Sequence, residues 1–235
     1  MELNEVLSVW AQPEVVRLIG AGVLSVILWR IPLVGLLVYP FRLLNTFIHE
    51  FSHGFAAVFT GGEFHHVIIY RNKEGVALIL GGNIFLIANA GYLGSTAVGA
   101  GLLFLTTTEV ANHTLLLLLG ISLALLCLLF VRNLFGFVAG LTLAAGLTLA
   151  GLYLEPSQAT TLVLVIAIQL ALASLDSVLI VTRIAASGSR SSQTSDAHVL
   201  ARTTGIPAIV WALLWVLLSV ALVFAAITIG YDHRS

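Results

Sequence analysis

Two neighbouring apolar stretches decide the fold class. Residues 113–131 read HTLLLLLGISLALLCLLFV, and residues 134–154 read LFGFVAGLTLAAGLTLAGLYL. Each stretch, as a helix, is long enough to cross roughly 30 Å of hydrocarbon, which takes about 20 residues. Only Arg132 and Asn133 separate the two stretches. The pattern therefore predicts two membrane-spanning helices that follow one another closely.

The composition of the whole chain supports a membrane protein. Of the 235 residues, 59% are hydrophobic and only 9% are charged, and the mean hydropathy is +1.07. Soluble domains carry about 25% charged residues, so this chain has too little polar surface for a cytosolic enzyme or a disordered tail. The net charge of −1 offers no basic surface for nucleic acid. The single cysteine, Cys127, lies in an apolar run, so we interpret it as a packing residue.

Seven candidate spans are found, near residues 14–30, 34–60, 84–107, 113–131, 134–154, 158–185 and 206–230. The first is weak because Arg17 and Arg30 bracket a short apolar core, so six spans are the alternative to seven. Proline suits the first turn of a helix, so the second span has an alternative start at Pro40. The fold class is therefore an all-α polytopic membrane protein with six or seven transmembrane helices, arranged as one domain over residues 1–235.

Two polar or glycine-rich segments lie between the spans. Residues 61–82 begin and end with Gly-Gly and hold two apolar runs around a polar turn, which predicts a membrane-associated β-hairpin over residues 64–80 with the glycine pairs as hinges. Residues 186–204 form the longest polar loop. Seven basic residues fall on the side of these two segments and three on the other side, which places both segments in the cytoplasm.

Small residues recur at helical spacing. Gly91, Ser95 and Gly99 are four residues apart, as are Gly136 and Gly140. Stripes of this kind let membrane helices pack closely, so we interpret them as packing surfaces.

The second span contains His49-Glu50-Phe51-Ser52-His53, an HExxH motif. Residues i and i+4 share one face of a helix, so both imidazoles can reach one metal ion. Zinc lowers the pKa of bound water to about 7, and Glu50 can take the proton from that water. Ionisable groups are costly inside a membrane and are functional candidates by default. The alternative is a buried His/Glu hydrogen-bond network.

Catalytic zinc usually has three protein ligands, and Asp176 is our candidate for the third. The spans 34–60 and 158–185 run in the same direction, and His49 and Asp176 both lie roughly 14–17 Å from the span ends. A structural hydrogen-bond role for Asp176 is the alternative.

Other polar residues have weaker roles in this scheme. Asp196 and His198 lie on the metal's side, in the long loop. Ser195 or Asp196 is the candidate cap of a short helix there, and we interpret Asp196 as a cap, with a ligand or gating role as the alternative. Asn83 or Asn89 is a candidate to stabilise the oxyanion or to hold the substrate backbone.

The stretches FIHEFSHGFAAVFTGGEFHHV, ANAGYLGSTAVGAGLL, ASLDSVLI and SDAHVLARTTGIPAIVWALLW resemble the site-2 protease family of intramembrane zinc metallopeptidases, in its compact branch without a PDZ domain. The resemblance covers roughly residues 40–225. It implies that His49 and His53 are zinc ligands and that Glu50 is the general base. Asp176 falls at the aspartate of the family's Leu-Asp-Gly motif, with Ser177 in place of the glycine.

The resemblance also implies what the protein acts on. We expect a multi-pass metalloprotease of a bacterial cell membrane that hydrolyses peptide bonds of transmembrane proteins near the cytoplasmic side of the bilayer. Family members often act after an upstream site-1-type protease. We expect no nucleic-acid partner. The competing hypotheses are a non-proteolytic scaffold or chaperone that retains the metal site, and a transporter, although no second half of the chain echoes residues 45–83.

Overall fold

The computed structural model describes residues 8–12, 15–16, 19–20, 22–24, 34–108, 110–175, 179–180, 182 and 195–232. The elements in these ranges are α1 (Val34–Phe59), β1 (Glu63–Ile69), β2 (Gly75–Leu80), α2 (Ile84–Leu105), α3 (Asn112–Phe130), α4 (Leu134–Tyr153), α5 (Pro156–Ala171), α6 (Asp196–Thr204) and α7 (Ala208–Asp232).

Five of the described helices are long and apolar enough to cross a membrane. They are α2, α3, α4, α7 and α5, whose apolar stretch extends to Leu175. The helix α1 has 26 residues, about 39 Å at 1.5 Å per residue, but it carries Arg42, Glu50 and the two histidines. The predicted all-α membrane fold with a small hairpin is confirmed, with a number of spans near six or seven.

The ends of the predicted spans agree with the structure to within a few residues, with one difference. The second span begins at Val34, as predicted, and the alternative start at Pro40 is wrong, because Pro40 lies inside α1. The helix α5 ends at Ala171 and is followed by a turn and a short helical segment to Leu175. Most of the predicted first span, and the end of the predicted span 158–185, lie outside the described residues.

The helix α2 is the centre of the bundle, because it packs against α1, α5, α6 and α7. Its small residues allow this: a Cβ added at Gly99 would lie 2.7 Å from the main chain of α5. The helices α3 and α4 form a second close pair, in which Gly140 meets Cys127 and Phe47. The packing role predicted for Cys127 and for the small-residue stripes is confirmed. The largest buried side chains include Phe47, Leu116 and Trp215.

The predicted hairpin is present as an antiparallel pair of strands, with a bulge between Phe64 and His66. The outer edge of β1 is already paired. The amide of Arg132 donates to the Val67 carbonyl at 3.1 Å, and Val67 and Val131 form a parallel bridge. The carboxamide of Asn133 accepts from the Ile69 amide at 3.0 Å and donates to the Ile69 carbonyl at 2.8 Å. Asn133 therefore acts as one more residue of a neighbouring strand at Ile69, whereas the outer edge of β2 pairs with no strand among the described residues.

The turn of the hairpin is fastened to α1, and its base is closed by the two glycine pairs. At the turn, the Tyr39 hydroxyl donates to the Arg71 carbonyl at 3.0 Å and the Thr46 hydroxyl donates to the Lys73 carbonyl at 2.9 Å. At the base, the two glycine pairs meet, because a Cβ on Gly62 would lie 2.8 Å from the backbone of Gly81. Gly81 has φ +70, a conformation that glycine adopts without strain. The strand β2 is thus held beside α1 along its length.

The second half of the long polar loop is the helix α6. Ser195 occupies its N-cap position, and Gly205, with φ 76, closes its C-terminus before the chain turns into α7. Ala197 and Leu200 are fully buried against Trp211 and Trp215 of α7 and against α2. This apolar contact fixes α6, and with it the direction of its first residue, Asp196.

We expect Asn133→Ala to loosen the hairpin, because it leaves the amide and the carbonyl of Ile69 without their partner. The cost should be about 1–3 kcal/mol for the lost hydrogen bonds. Hydrogen–deuterium exchange in detergent micelles should then speed up in residues 63–80 while the α3 amides stay protected. Unchanged exchange in the hairpin would contradict the role assigned to Asn133.

Candidate metal centre

The HExxH motif lies in the middle of α1, and its two histidines face the same point. His49 Nε2 and His53 Nε2 are 3.1 Å apart, and the rings stand nearly perpendicular, at 87°. The side chains are largely buried, with exposed fractions of 15% for His49 and 8% for His53. The convergence predicted from the i, i+4 spacing is present.

A carboxylate from α6 completes the cluster. The Oδ2 atom of Asp196 lies 3.1 Å from His49 Nε2 and 3.4 Å from His53 Nε2. Our interpretation of Asp196 as a helix cap was wrong: Ser195 holds the cap position, and the Asp196 carboxylate faces the histidines. Among the described residues, His49, His53 and Asp196 form the group that can hold a metal ion.

The distances between the three donor atoms fit a tetrahedral zinc ion. Zinc binds imidazole nitrogen at about 2.0–2.1 Å and carboxylate oxygen at about 2.0–2.2 Å. In a tetrahedron with bonds of that length, any two ligand atoms are about 3.3–3.4 Å apart. The three separations of 3.1, 3.1 and 3.4 Å lie close to that value. Two imidazoles and one carboxylate also match the ligand set of catalytic zinc sites, which keep one position open.

The two histidines lower the pKa of the Asp196 carboxyl. Burial by itself would raise the pKa of Asp196, but the neighbouring His53 and His49 outweigh that effect and hold its pKa well below the usual range. Among the two forms of a carboxyl, the ionised one binds metal.

Each histidine is oriented by a residue of α2 behind it. His53 Nδ1 lies 2.7 Å from the Ile87 carbonyl, so Nδ1 carries the proton and Nε2 is left to bind a metal. Tyr92 packs edge-on against His49 with ring centroids 4.6 Å apart, and Trp215 lies behind Tyr92 at 5.0 Å.

The helix α2 can approach this closely because of Gly91. A Cβ at this position would lie 2.4 Å from His49 Cε1 and 2.6 Å from His53 Nε2. Contacts that short do not occur, so any larger residue would push the imidazoles from their positions. One member of the predicted packing stripe therefore packs directly on the metal centre.

Glu50, the predicted base, points toward the hairpin. It is 7% exposed, and the Ala77 amide donates a hydrogen bond to its carboxylate. A Cβ at Gly75 would lie 2.7 Å from Glu50 Oε1, so the start of β2 fits closely against the base. The hairpin thus holds the glutamate beside the two histidines.

A cavity of about 650 Å³ opens onto the metal centre. Its walls are α1, the outer edge of β2, the start of α2, and α6. Glu50 and the three candidate ligands all line it. The arrangement can bind an extended chain between the strand and the ligands.

The described residues among the other predicted site residues do not join the cluster. Asp176 lies outside the described residues. The Asn83 carboxamide caps α2, where its oxygen accepts from the Phe85 and Leu86 amides. Asn89 accepts from Trp215 Nε1 at 2.8 Å, so both amides have structural partners. His198 is hydrogen-bonded to Ser195 at 2.8 Å and does not join the cluster.

Comparison with known proteins agrees with the geometry of this centre. Residues 18–226 match the family model described as Peptidase M50B-like. The chain belongs to that family. The resemblance to the site-2 proteases is thereby confirmed. Since the family consists of zinc-dependent metallopeptidases and the described helices are strongly apolar, this M50B-like protein is a metallopeptidase of the integral membrane class. No curated protein and no solved structure matches the chain.

We expect Gly91→Ala to weaken zinc binding by the M50B-like chain about 10–100-fold, as the loss of an orienting contact does at other metal centres. The matched control is Gly101→Ala, on the same helix, where an added Cβ meets nothing within 4 Å. Zinc affinity can be measured by competition with a chelating dye. Equal affinities of the two variants would contradict the packing role of Gly91.

Proposed function

We propose that this protein is an intramembrane zinc endopeptidase that hydrolyses peptide bonds of transmembrane proteins. The observation that carries the proposal is the convergence of His49, His53 and Asp196 at 3.1–3.4 Å, with Glu50 beside them, inside an apolar bundle. The active unit is the single membrane-embedded domain.

The proposed ligands are His49, His53 and Asp196. Asp196 takes the place first given to Asp176 because its carboxylate oxygen has the right distance to both imidazoles. When bound, zinc supplies a Lewis acid that lowers the pKa of water and polarises a carbonyl.

Glu50 is the proposed general base. Its carboxylate takes the proton of the attacking water and gives it to the nitrogen of the leaving amine, which is the double role of an acid–base residue. The Ala77 amide holds the carboxylate on the hairpin side of the histidines.

The substrate is proposed to bind as an added strand on the outer edge of β2. In an antiparallel pair, alternate residues turn their main-chain groups outward. Val67 and Ile69 of β1 bond outward, to Arg132 and Asn133, so the main-chain groups of their partners Ala77 and Gly75 also turn outward. The Ala77 amide is bonded to Glu50, so an added strand would pair with the Ala77 carbonyl and with the main-chain groups of Gly75. That edge lines the cavity beside Glu50, and a strand paired with it would place its carbonyls next to the metal centre.

The location of the cut follows from the topology proposed above. The distribution of basic residues in the sequence supports a cytoplasmic side for the ends of the hairpin and for α6. We therefore propose cleavage near that side of a bacterial cell membrane, following a first cut by a site-1-type protease.

The ligand set has a direct test in the variants Asp196→Ala and Asp176→Ala. We expect Asp196→Ala to lower zinc affinity by more than about 100-fold, since even the loss of an outer contact costs 10–100-fold. Asp176→Ala should bind zinc like the wild type, as measured by metal analysis of the purified protein and dye competition. The opposite pattern would return Asp176 to the centre and remove Asp196 from it.

The variant Glu50→Gln tests the proposed protease activity. We expect this variant to keep its zinc and to lose cleavage by about 10²–10⁴-fold, the usual contribution of acid–base catalysis. The matched control is Glu63→Gln, which changes an exposed glutamate paired only with His65. Membrane proteomes of cells with each variant, compared by quantitative mass spectrometry, should show uncut transmembrane proteins accumulating with Glu50→Gln alone. Identical proteomes would favour the scaffold or chaperone hypothesis.

A further inference from the structure

The face of α1 that carries the ligands holds one more polar side chain, that of Asn45. Residues four apart lie on one face of a helix, so Asn45, His49 and His53 form a single row. Thr46 and Glu50 form the neighbouring row, which faces the hairpin through Lys73 and Ala77. Asn45 lies one turn before His49, about 6 Å along the axis. It lines the same cavity as the ligands and β2.

The carboxamide oxygen of Asn45 is buried and accepts no hydrogen bond from any described residue. Buried acceptors in native proteins almost always have a partner, and an exception calls for an explanation such as a ligand. The other asparagines of this region have structural partners. Asn83 caps α2, Asn89 accepts from Trp215, and Asn133 pairs with β1.

We propose that Asn45 is a substrate-binding residue whose carboxamide oxygen accepts a hydrogen bond from a main-chain N–H of the extended substrate. This inference rests on the proposed function and extends it. A strand paired with β2 bonds to that edge with alternate residues, and its remaining N–H groups point away from β2. Asn45 lies on the cavity wall formed by α1, where it can accept from one of them. The substrate backbone is then held from both sides, one turn of α1 away from the metal centre.

The role of Asn45 can be tested with two zinc-binding probes of different length. Acetohydroxamate binds the metal alone, whereas a peptidic hydroxamate with two main-chain amides also extends along the cavity. Their Kd values are measured by titration calorimetry on the zinc-loaded full chain in micelles. We expect Asn45→Leu to weaken the peptidic hydroxamate about tenfold, the value of one hydrogen bond that leaves a buried group unpaired when lost. The affinity for acetohydroxamate should stay the same.

Two further variants sharpen this test. Asn45→Asp keeps an acceptor oxygen and should bind the peptidic hydroxamate far better than Asn45→Leu. Asn112→Ala is the matched control, because the Asn112 oxygen is also buried without a partner among the described residues but does not line the cavity. It should bind both probes like the wild type.

The outcomes separate this proposal from the proposed function. If Asn45→Leu binds the peptidic hydroxamate as tightly as the wild type, Asn45 does not contact substrate, and its oxygen holds only water. Equal weakening of both probes would assign Asn45 to support of the metal centre and overturn the proposal. If the zinc-loaded wild type binds neither probe, both the proposed function and this inference fail.

Discussion

Two imidazoles and a carboxylate meet within 3.1–3.4 Å in the interior of an apolar bundle. Polar groups cost free energy in such surroundings unless other groups or a metal ion compensate them. The surrounding elements hold these polar groups in positions where they compensate one another. The Ile87 carbonyl of α2 accepts a hydrogen bond from His53 Nδ1, and Tyr92 covers His49. The burial of Leu200 against α7 directs Asp196 inward. The packing of the bundle therefore positions all three candidate ligands.

The absence of a side chain at two positions is as important as the side chains themselves. Gly91 lets the main chain of α2 reach the imidazoles, and Gly75 lets β2 reach Glu50. In both cases an element that carries none of the three candidate ligands sets the position of a candidate ligand or of the proposed base. Membrane helices use small residues for close packing in general; here the partner of the close packing is the functional site.

Much of the fold follows from the sequence because the bilayer fixes the length of an apolar helix. The run of residues 113–131 predicted α3 to within one residue at each end, and the paired glycines marked the hairpin. The histidines of the site were also predictable, because their spacing of four is a local property of a helix. The position of Asp196 beside the histidines was not predictable, because it depends on the contact of α6 with Trp211 and Trp215. These elements lie far from α1 in the sequence. An aspartate in the first turn of a helix is usually explained by the helix itself, so no local signal separated the two roles.

The carboxamide of Asn133 gives the hairpin an asymmetry with a consequence for the protein in a crowded bilayer. A two-stranded sheet with both borders open could join sheets of neighbouring molecules and grow into an aggregate. Asn133 pairs with Ile69 at the border of β1, and the border of β2 lies inside a walled cavity, so neither border is presented freely to a neighbouring molecule. The same residue that stabilises the hairpin thus also protects it against pairing with other copies of the sheet.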